Sequence, residues 1–258
     1  MEKKKNDFIA QGSILAIASI LVRVMGMIYR IPMTAIIGDK GNGFYSYAYS
    51  VYTILLLLSS YSLPLAVSKM VSAKAQLGQW RNVKRVFICA IAFAIGIGTT
   101  FGLIVLIGAQ FFTRVFFHSE LAAIALRFMA PTILIMALLG VFRGFFQGLQ
   151  NTLPTAVSQI VEGLINAIMS VVFAYFLFDF GHGMDAAGGT TDLGYAWGAA
   201  GGAIGTGAGA LAGLIFFLFC LWHTEKFLQL ILAVIRQEHS RSMAIFFVLC
   251  FLLHFQLS

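Results

Sequence analysis

The chain has 258 residues, of which 60% are hydrophobic and 10% are charged, with a formal net charge of +7. A soluble domain carries about 25% charged residues, so this chain has too few polar side chains to cover a water-exposed surface. Its apolar residues lie in blocks long enough to span a bilayer, which takes about 20 residues, and the composition therefore excludes a soluble protein and predicts an all-α polytopic membrane protein.

Six apolar blocks are candidates for transmembrane helices, and the gaps between them alternate in charge. Basic residues precede the first block, fill the gap after the second and follow the sixth, whereas the gaps after the first, third and fifth blocks are acidic or neutral. The positive-inside rule places the N-terminus and residues 223–241 in the cytoplasm. The positive net charge therefore indicates topology and contact with anionic lipid head groups, and it does not indicate nucleic acid. The blocks cover residues 8–37, 43–68, 86–112, 120–147, 154–179 and 193–222.

The first block carries a narrow face of small and charged residues. Positions 12, 16, 19, 23, 26 and 30 recur at helical spacing and read Gly, Ala, Ser, Arg, Gly, Arg. An arginine at the bilayer centre costs about 2.5–3.5 kcal/mol on insertion scales. Arg23 and Arg30 therefore either pair with a buried carboxylate or with backbone carbonyls, or line a water-filled cavity that offers positive charge to an anion. Pro32 follows and predicts a kink or an end of this helix.

The second block places Tyr45, Tyr49 and Tyr52 on one helical face. Tyr45 lies near the outer end of the block, where tyrosine is common in the aromatic belt of a membrane protein. The two deeper tyrosines either line a cavity or pack against a neighbouring helix.

The fifth block carries a polar seam on one face, formed by Ser158, Glu162, Asn166 and Ser170 at four-residue spacing. Arg143 and Gln147 lie just before the preceding turn, at the end of the fourth block. A helical hairpin would let the guanidinium of Arg143 approach the carboxylate of Glu162. Such a pair is compatible with a role in folding or gating and equally with contact to a substrate.

The sixth block contains a ladder of glycines at four-residue spacing, which lets helices approach closely. The sequence shows no nucleotide-binding loop, no nucleophile with its base and no metal-ligand cluster, so we expect neither an enzyme nor a bound metal or cofactor. The three cysteines follow no spacing typical of disulfides or metal sites. The ladder is Gly201, Gly205, Gly209 and Gly213, and the cysteines are Cys89, Cys220 and Cys250.

Three segments resemble the polysaccharide-biosynthesis exporters: RVMGMIYRIPMTAIIGDKGNGFYSYAYSVY, SLPLAVSKMVSAKAQLG and RGFFQGLQNTLPTAVSQIVEGLINAI. Within these exporters the chain looks most like the stage V sporulation protein B type. That type is related to the lipid II flippases of the multidrug/oligosaccharidyl-lipid/polysaccharide exporter superfamily. The resemblance covers about residues 8–222.

The resemblance implies a transporter of two six-helix lobes that face a central cavity and work by alternating access in the bacterial cytoplasmic membrane. It implies a polyprenyl-diphosphate-linked sugar as substrate and cavity-lining arginines on the first helix, a role that falls on Arg23 and Arg30. The lipid II flippases have a further arginine on the second helix, where this chain has only tyrosine, serine and threonine. This departure puts lipid II itself in doubt as the substrate.

On this interpretation, residues 1–222 form one six-helix lobe, residues 223–241 form a basic cytoplasmic linker, and residues 242–258 form a truncated seventh hydrophobic segment. The partner of this lobe is then a missing C-terminal lobe or a second copy of the chain. The candidate cavity residues are Arg23, Arg30, Glu162, Asn166, Arg143 and Gln147.

The residues leave two alternative functions open. The first is a cation-coupled drug antiporter of the same superfamily, in which buried carboxylates would dominate the cavity. Here Glu162 is the only acidic residue deep in a block, against Arg23, Arg30 and Arg127, which favours an anionic substrate. The second alternative is a truncated membrane protein that transports nothing, in which the polar seams only hold helices together.

Overall fold

The computed structural model describes residues 2–188 and 192–223, and it contains six helices and no strand within those ranges. This confirms the all-α fold predicted from the composition. The linker expected over residues 223–241 lies outside the described residues except for His223, and the segment 242–258 lies wholly outside them. The helices are α1 (Glu2–Ser60), α2 (Leu63–Gln76), α3 (Trp80–Phe117), α4 (Ala122–Gly148), α5 (Leu153–Gly188) and α6 (Leu193–His223).

Five helical stretches are long and apolar enough to cross a membrane, and the first of them is long enough for two crossings. That stretch, Gly12–Gln76, has 65 residues and would measure about 100 Å if it were straight. It is interrupted at Gly38, where φ is 63° and ψ is −178°, a conformation that glycine adopts without steric cost. We call residues 12–37 the first arm and residues 39–60 the second arm.

The two arms fold back on each other at Gly38. A methyl group in place of the Gly202 hydrogen on α6 would lie 3.1 Å from Met33 in the first arm and 3.1 Å from Tyr45 in the second arm. Met33 precedes Gly38 by five residues and Tyr45 follows it by seven. The two arms therefore reach the same level of α6 from opposite directions.

Deeper in the bundle, Met25 of the first arm contacts Gly163 on α5. Met25 lies thirteen residues before the turn. The first helix thus supplies two antiparallel transmembrane segments, which accounts for the six predicted blocks within five continuous stretches.

Pro32 interrupts its helix less than the sequence predicted. Pro32 lies inside α1, and the chain turns at Gly38 instead. Pro131 lies inside α4, which continues to its end. Only Pro64 coincides with a break. It occupies the first turn of α2, where a backbone N–H has no partner within the helix, so proline is tolerated there.

The glycine ladder of α6 packs against α5, as the four-residue spacing predicted. A methyl group at Gly205 would overlap the backbone of Ser170, and one at Gly209 would lie 2.6 Å from the carbonyl oxygen of Glu162. These two helices make the most extensive contact in the described part of the bundle. Close backbone approach through small residues is a common way for membrane helices to associate.

A second row of glycines brings α4 against α2. Gly140, Gly144 and Gly148 recur every four residues on α4, and each faces Pro64 or Val71 of α2. A methyl group at Gly148 would lie 2.7 Å from Val71 Cβ. The sequence contains this row, but we did not predict it as a packing surface. It fixes α2 beside the last two turns of α4.

The gaps between the apolar blocks lie at the two ends of the bundle in the alternation that their charges predicted. Lys40, just after the turn between the arms, forms an ion pair of 3.0 Å with Asp192 at the start of α6. The gaps after the first and fifth blocks therefore lie at one end. The end of α2 and the end of α4 meet at the opposite end, where Val71 contacts Gly148.

Candidate functional site

One side of the first arm packs on α5 and α6. Val22 and Met25 contact Gly163 of α5, and the Ser19 hydroxyl donates a hydrogen bond of 3.4 Å to the side-chain oxygen of Gln159. Nearer the turn, Met33 contacts α6. The packed side of this arm is therefore built mainly from apolar side chains.

The two predicted arginines lie next to that packed side but outside it. Each residue of an α-helix is rotated by about 100° from the one before it. Going around the arm from the α5-facing Met25, Met33 comes next and faces α6, and Arg30 and Arg23 follow beyond it. Both arginine side chains are exposed.

Neither arginine has a carboxylate partner among the residues that the structure describes. The four ion pairs there are Lys40–Asp192, Arg114–Glu120, Arg143–Glu162 and His182–Asp185. Of the two interpretations of Arg23 and Arg30, pairing with a buried carboxylate is thus not observed in this part of the chain. Two unpaired cations on one face of a membrane-spanning helix repel each other and favour a shared anionic ligand.

The second arm also has an exposed side. In the second arm, Tyr45 faces α6, and Tyr47 lies toward α3, where its ring stacks on Phe117 at 4.7 Å. Tyr49 lies on the other side of Tyr45. The side that carries Tyr49 is exposed. We call this side of the second arm, together with the arginine side of the first arm, the inter-arm groove.

The three tyrosines of the second arm differ in burial from what the sequence predicted. Tyr45 is 1% exposed and lies against α6, so its placement in an aromatic belt was wrong. Its hydroxyl lies 3.4 Å from that of Thr206, which gives the buried phenol a polar partner. Tyr52 is also buried, whereas Tyr49 is 39% exposed. Tyr49 is therefore the exposed tyrosine of this face.

Arg143 and Glu162 form an ion pair between α4 and α5, at an N–O distance of 2.5 Å. The side chains are 14% and 23% exposed, and the Arg143 Nε atom is buried without a hydrogen-bond partner. The prediction that the hairpin brings these two residues together is confirmed. Glu162 also contacts Gly213 of α6, so the pair lies where three helices meet.

Two further polar residues of the fifth block, Asn166 and Ser170, lie at the α5–α6 interface. The Ser170 hydroxyl donates to the side-chain oxygen of Asn166 at 2.8 Å, and Asn166 packs against Gly209. Ser158 is fully buried and donates to the carbonyl of Thr155 at 2.8 Å. These polar groups find partners within the protein, as buried polar groups in a membrane must.

Gln147 is partly buried on the last turn of α4, one turn beyond Arg143. The six predicted site residues thus form two groups. Arg143, Gln147, Glu162 and Asn166 belong to the contact region of α4, α5 and α6, and the first-arm arginines belong to the inter-arm groove.

Within residues 2–188 and 192–223, no three His, Cys, Asp or Glu side chains form a group that could hold a metal.

Comparison with known families agrees with the fold. The family model described as "Polysaccharide biosynthesis protein" matches residues 8–257. The chain therefore belongs to the polysaccharide biosynthesis protein family, a relationship that the three quoted segments had indicated. It is a polytopic membrane protein of that family.

Three relatives in Bacillus subtilis (strain 168) are each 26% identical to the chain. They are "Stage V sporulation protein B", over 217 residues and 84% of this chain, "Lipid II flippase MurJ", over 221 residues and 83%, and "Uncharacterized membrane protein YabM", over 223 residues and 86%. The matched region is 39% of the length of each relative. The chain thus spans about two fifths of these curated relatives.

Proposed function

We propose that the chain forms one lobe of an exporter that moves a polyprenyl-diphosphate-linked sugar across the bacterial cytoplasmic membrane by alternating access. The observation that carries the proposal is the pair of exposed arginines, Arg23 and Arg30, on one side of a membrane-spanning arm. Membership of the polysaccharide biosynthesis protein family and similarity to a protein named as a lipid II flippase support this class of substrate.

The chemistry of such a substrate matches the groove. A diphosphate must cross a medium that strongly penalises charge, and arginine binds phosphate oxygens through two parallel N–H donors. The polyprenyl tail can stay in the lipid while the head group moves. An inside-negative membrane potential favours outward movement of an anion by about 2.3 kcal/mol per charge per 100 mV.

In this proposal the basic end of the bundle, where α2 and α4 end, faces the cytoplasm together with the N-terminus. The alternating charges of the gaps support this orientation through the positive-inside rule. A second lobe closes the cavity opposite the inter-arm groove. It is provided by a C-terminal half, as the length of the relatives suggests, or by a second copy of the chain.

The same site is less suited to a cation-coupled antiporter. Glu162 is the carboxylate that such a transporter would use, and its charge is balanced by Arg143 at 2.5 Å. A cation that enters would have to displace a guanidinium. The unpaired charges of the groove are positive, so an anionic ligand is favoured.

Binding of undecaprenyl diphosphate to the purified chain in lipid nanodiscs tests the proposal. We expect saturable binding that weakens at least about tenfold in Arg23→Gln and in Arg30→Gln, because each loses a charge-assisted contact of about 1.5–3 kcal/mol. Arg114→Gln is the matched control, since Arg114 is an exposed arginine at the end of α3 that pairs with Glu120. The proposal is wrong if both groove variants bind as tightly as the control.

A further inference from the structure

A cluster of five basic residues surrounds the turn between α2 and α3. The sequence contains no Asp or Glu over residues 40–119, and the four ion pairs of the described residues do not involve this cluster. Its positive charge is therefore not balanced within the part of the chain that the structure describes. The cluster consists of Lys69, Lys74, Arg81, Lys84 and Arg85.

The charges at the start of α3 do not stabilise that helix. Arg81, Lys84 and Arg85 lie in its first two turns, where the helix dipole favours negative side chains and disfavours cations. Arg81 and Arg85 are also four residues apart, a spacing at which like charges destabilise a helix. Helix stability therefore does not account for the cluster, whereas a ligand of opposite charge would offset both effects.

The two arginines lie on the outer side of α3. Ala90 and Ala94 are fully buried and mark the side of the helix that packs on the bundle. Because each residue is rotated by about 100° from the one before it, Arg81 and Arg85 lie about 140–180° away from these alanines around the helix axis. Both arginines are exposed. The helix packs mainly on α4, so this outer side is separate from the inter-arm groove, whose first arm packs on α5 and α6.

Beyond the arginines, the same side of α3 is apolar and remains exposed. Ile88 and Ile95 are 38% and 47% exposed, and they follow Arg81 by seven and fourteen residues, which places them within about 40° of it around the helix. The ten residues from Arg85 to Ile95 rise by about 15 Å. This is about half of the 30 Å hydrocarbon core of a bilayer. A charged end followed by an apolar face of that length matches a phospholipid in one leaflet.

The turn beside the cluster exposes two large apolar side chains. Leu77 is 67% exposed and Trp80 is 58% exposed. Two backbone hydrogen bonds of 3.0 Å, donated by Gly78 and Gln79 to carbonyls at the end of α2, fix the conformation of the turn. Exposed tryptophan is typical of the membrane–water interface. The turn therefore lies at the level of the lipid head groups, where the cluster can reach their phosphates.

We infer that the outer side of α3 binds an anionic phospholipid of the surrounding membrane. Arg81 and Arg85 contact the phosphate of its head group, because arginine donates two parallel N–H bonds to phosphate oxygens. The acyl chains lie along Ile88 and Ile95. An anionic lipid is favoured over a zwitterionic one, because the latter carries its own cation. This surface lies on a different helix from the first-arm arginines, and the inference does not depend on the proposed function.

The test uses Trp80 as a reporter. The chain has three tryptophans, so Trp197→Phe combined with Trp222→Phe leaves Trp80 alone. The full chain is reconstituted in phosphatidylcholine bilayers that contain brominated phosphatidylglycerol or brominated phosphatidylcholine, because bromine quenches a nearby indole. The measured quantity is the ratio of the two binding constants obtained from quenching. We expect phosphatidylglycerol to be preferred by about fivefold or more, since one cation near an anionic surface contributes about that factor.

Arg81→Gln combined with Arg85→Gln should lower this ratio to below about two, because two of the cations are lost. Lysine at both positions keeps the charge and should keep most of the preference. Arg114→Gln is the matched control, since Arg114 is exposed at the other end of the same helix and pairs with Glu120. It should leave the ratio unchanged. An unchanged ratio in the double glutamine variant would overturn the inference.

A second reporter shows whether the preference is local. A chain that keeps only Trp197, near the start of α6 at the opposite end of the bundle, should give a ratio near one. Equal ratios at Trp80 and Trp197 would mean that anionic lipid is recruited by the net charge alone, and a ratio near one at Trp80 would mean that it is not recruited. Either result would overturn the inference. The comparison needs no charge variant, so it decides the question even if the double variant does not fold.

Discussion

The α5–α6 interface and the first arm both place polar residues in membrane-spanning helices, yet they treat them in opposite ways. At the interface, Ser170 and Asn166 bond to each other and pack against glycines of α6. On the first arm, Arg23 and Arg30 are exposed and have no carboxylate partner in the described residues. The difference separates polar residues that hold the bundle together from polar residues available to a ligand.

Burial follows the same division. In its most apolar stretch of 18 residues, α6 buries 33% of its residues, whereas the corresponding stretch within Gly12–Gln76 buries 6%. The glycine ladder explains the high value, because small residues let two backbones approach closely. The first arm approaches α5 closely at one glycine, Gly163. It therefore leaves more of its surface exposed than α6 does.

The largest expected effect comes from placing a large side chain in the glycine ladder of α6. Gly205→Leu would drive a side chain into the backbone of Ser170, so we expect little or no folded chain after detergent extraction. Gly96→Leu on α3 is the control, because nothing lies within 4 Å of a methyl group at that glycine. Size-exclusion chromatography compares the two. A normal elution profile for Gly205→Leu would mean that the α5–α6 contact is not essential.

The next effect concerns the ion pair at the same interface. Glu162→Leu leaves the charge of Arg143 without its partner, and breaking a buried pair costs about 3–5 kcal/mol, with less expected here because both groups are partly exposed. The double variant Arg143→Leu, Glu162→Leu should recover much of the loss. Thermal unfolding in detergent measures the coupling. Additive losses in the two single variants would show that the pair does not stabilise the fold.

A smaller effect on folding is expected on the first arm. Arg23→Leu removes a charge whose placement at the bilayer centre costs about 2.5–3.5 kcal/mol, so insertion should improve and thermal stability should not fall. Its unfolding temperature is measured beside that of Glu162→Leu. A comparable loss of stability in Arg23→Leu would erase the contrast between the two regions and assign Arg23 a structural partner.

The smallest effect is expected at the end of the bundle where the two arms meet. Lys40→Gln breaks the pair with Asp192, and both side chains are well exposed to solvent, where such pairs contribute little. The unfolding temperature should therefore change within experimental error, and Asp192→Asn should behave alike. A clear loss in both variants would show that this contact helps to hold the turn between the arms against α6.

Local patterns in the sequence predicted much of the packed region. The four-residue spacing of the α6 glycines and of the α5 polar seam marks one helical face each, and Arg143 approaches Glu162 because a short turn joins their helices. The glycine row of α4 was overlooked because a row of small residues does not say which helix will cover it. Its partner α2 is short and contributes a proline and valines, which carry no matching signal.

The groove could be predicted only in part. Arg23 and Arg30 stand out because charges are rare in apolar segments, but their position relative to the second arm depends on where the chain turns back. The sequence suggested Pro32, while the backbone turns at Gly38, where φ is positive. No periodicity within one helix reveals that turn.

The turn at Gly38 also sets the tolerance of the chain to insertions. One extra residue between Gly38 and Tyr45 would rotate the following helix by about 100° and shift it by about 1.5 Å. Tyr45 would then leave its place against Gly202. The spacing between Gly38 and the tyrosines is therefore constrained by packing, whereas the turn between α2 and α3 is exposed and packs against nothing that would fix its length in this way.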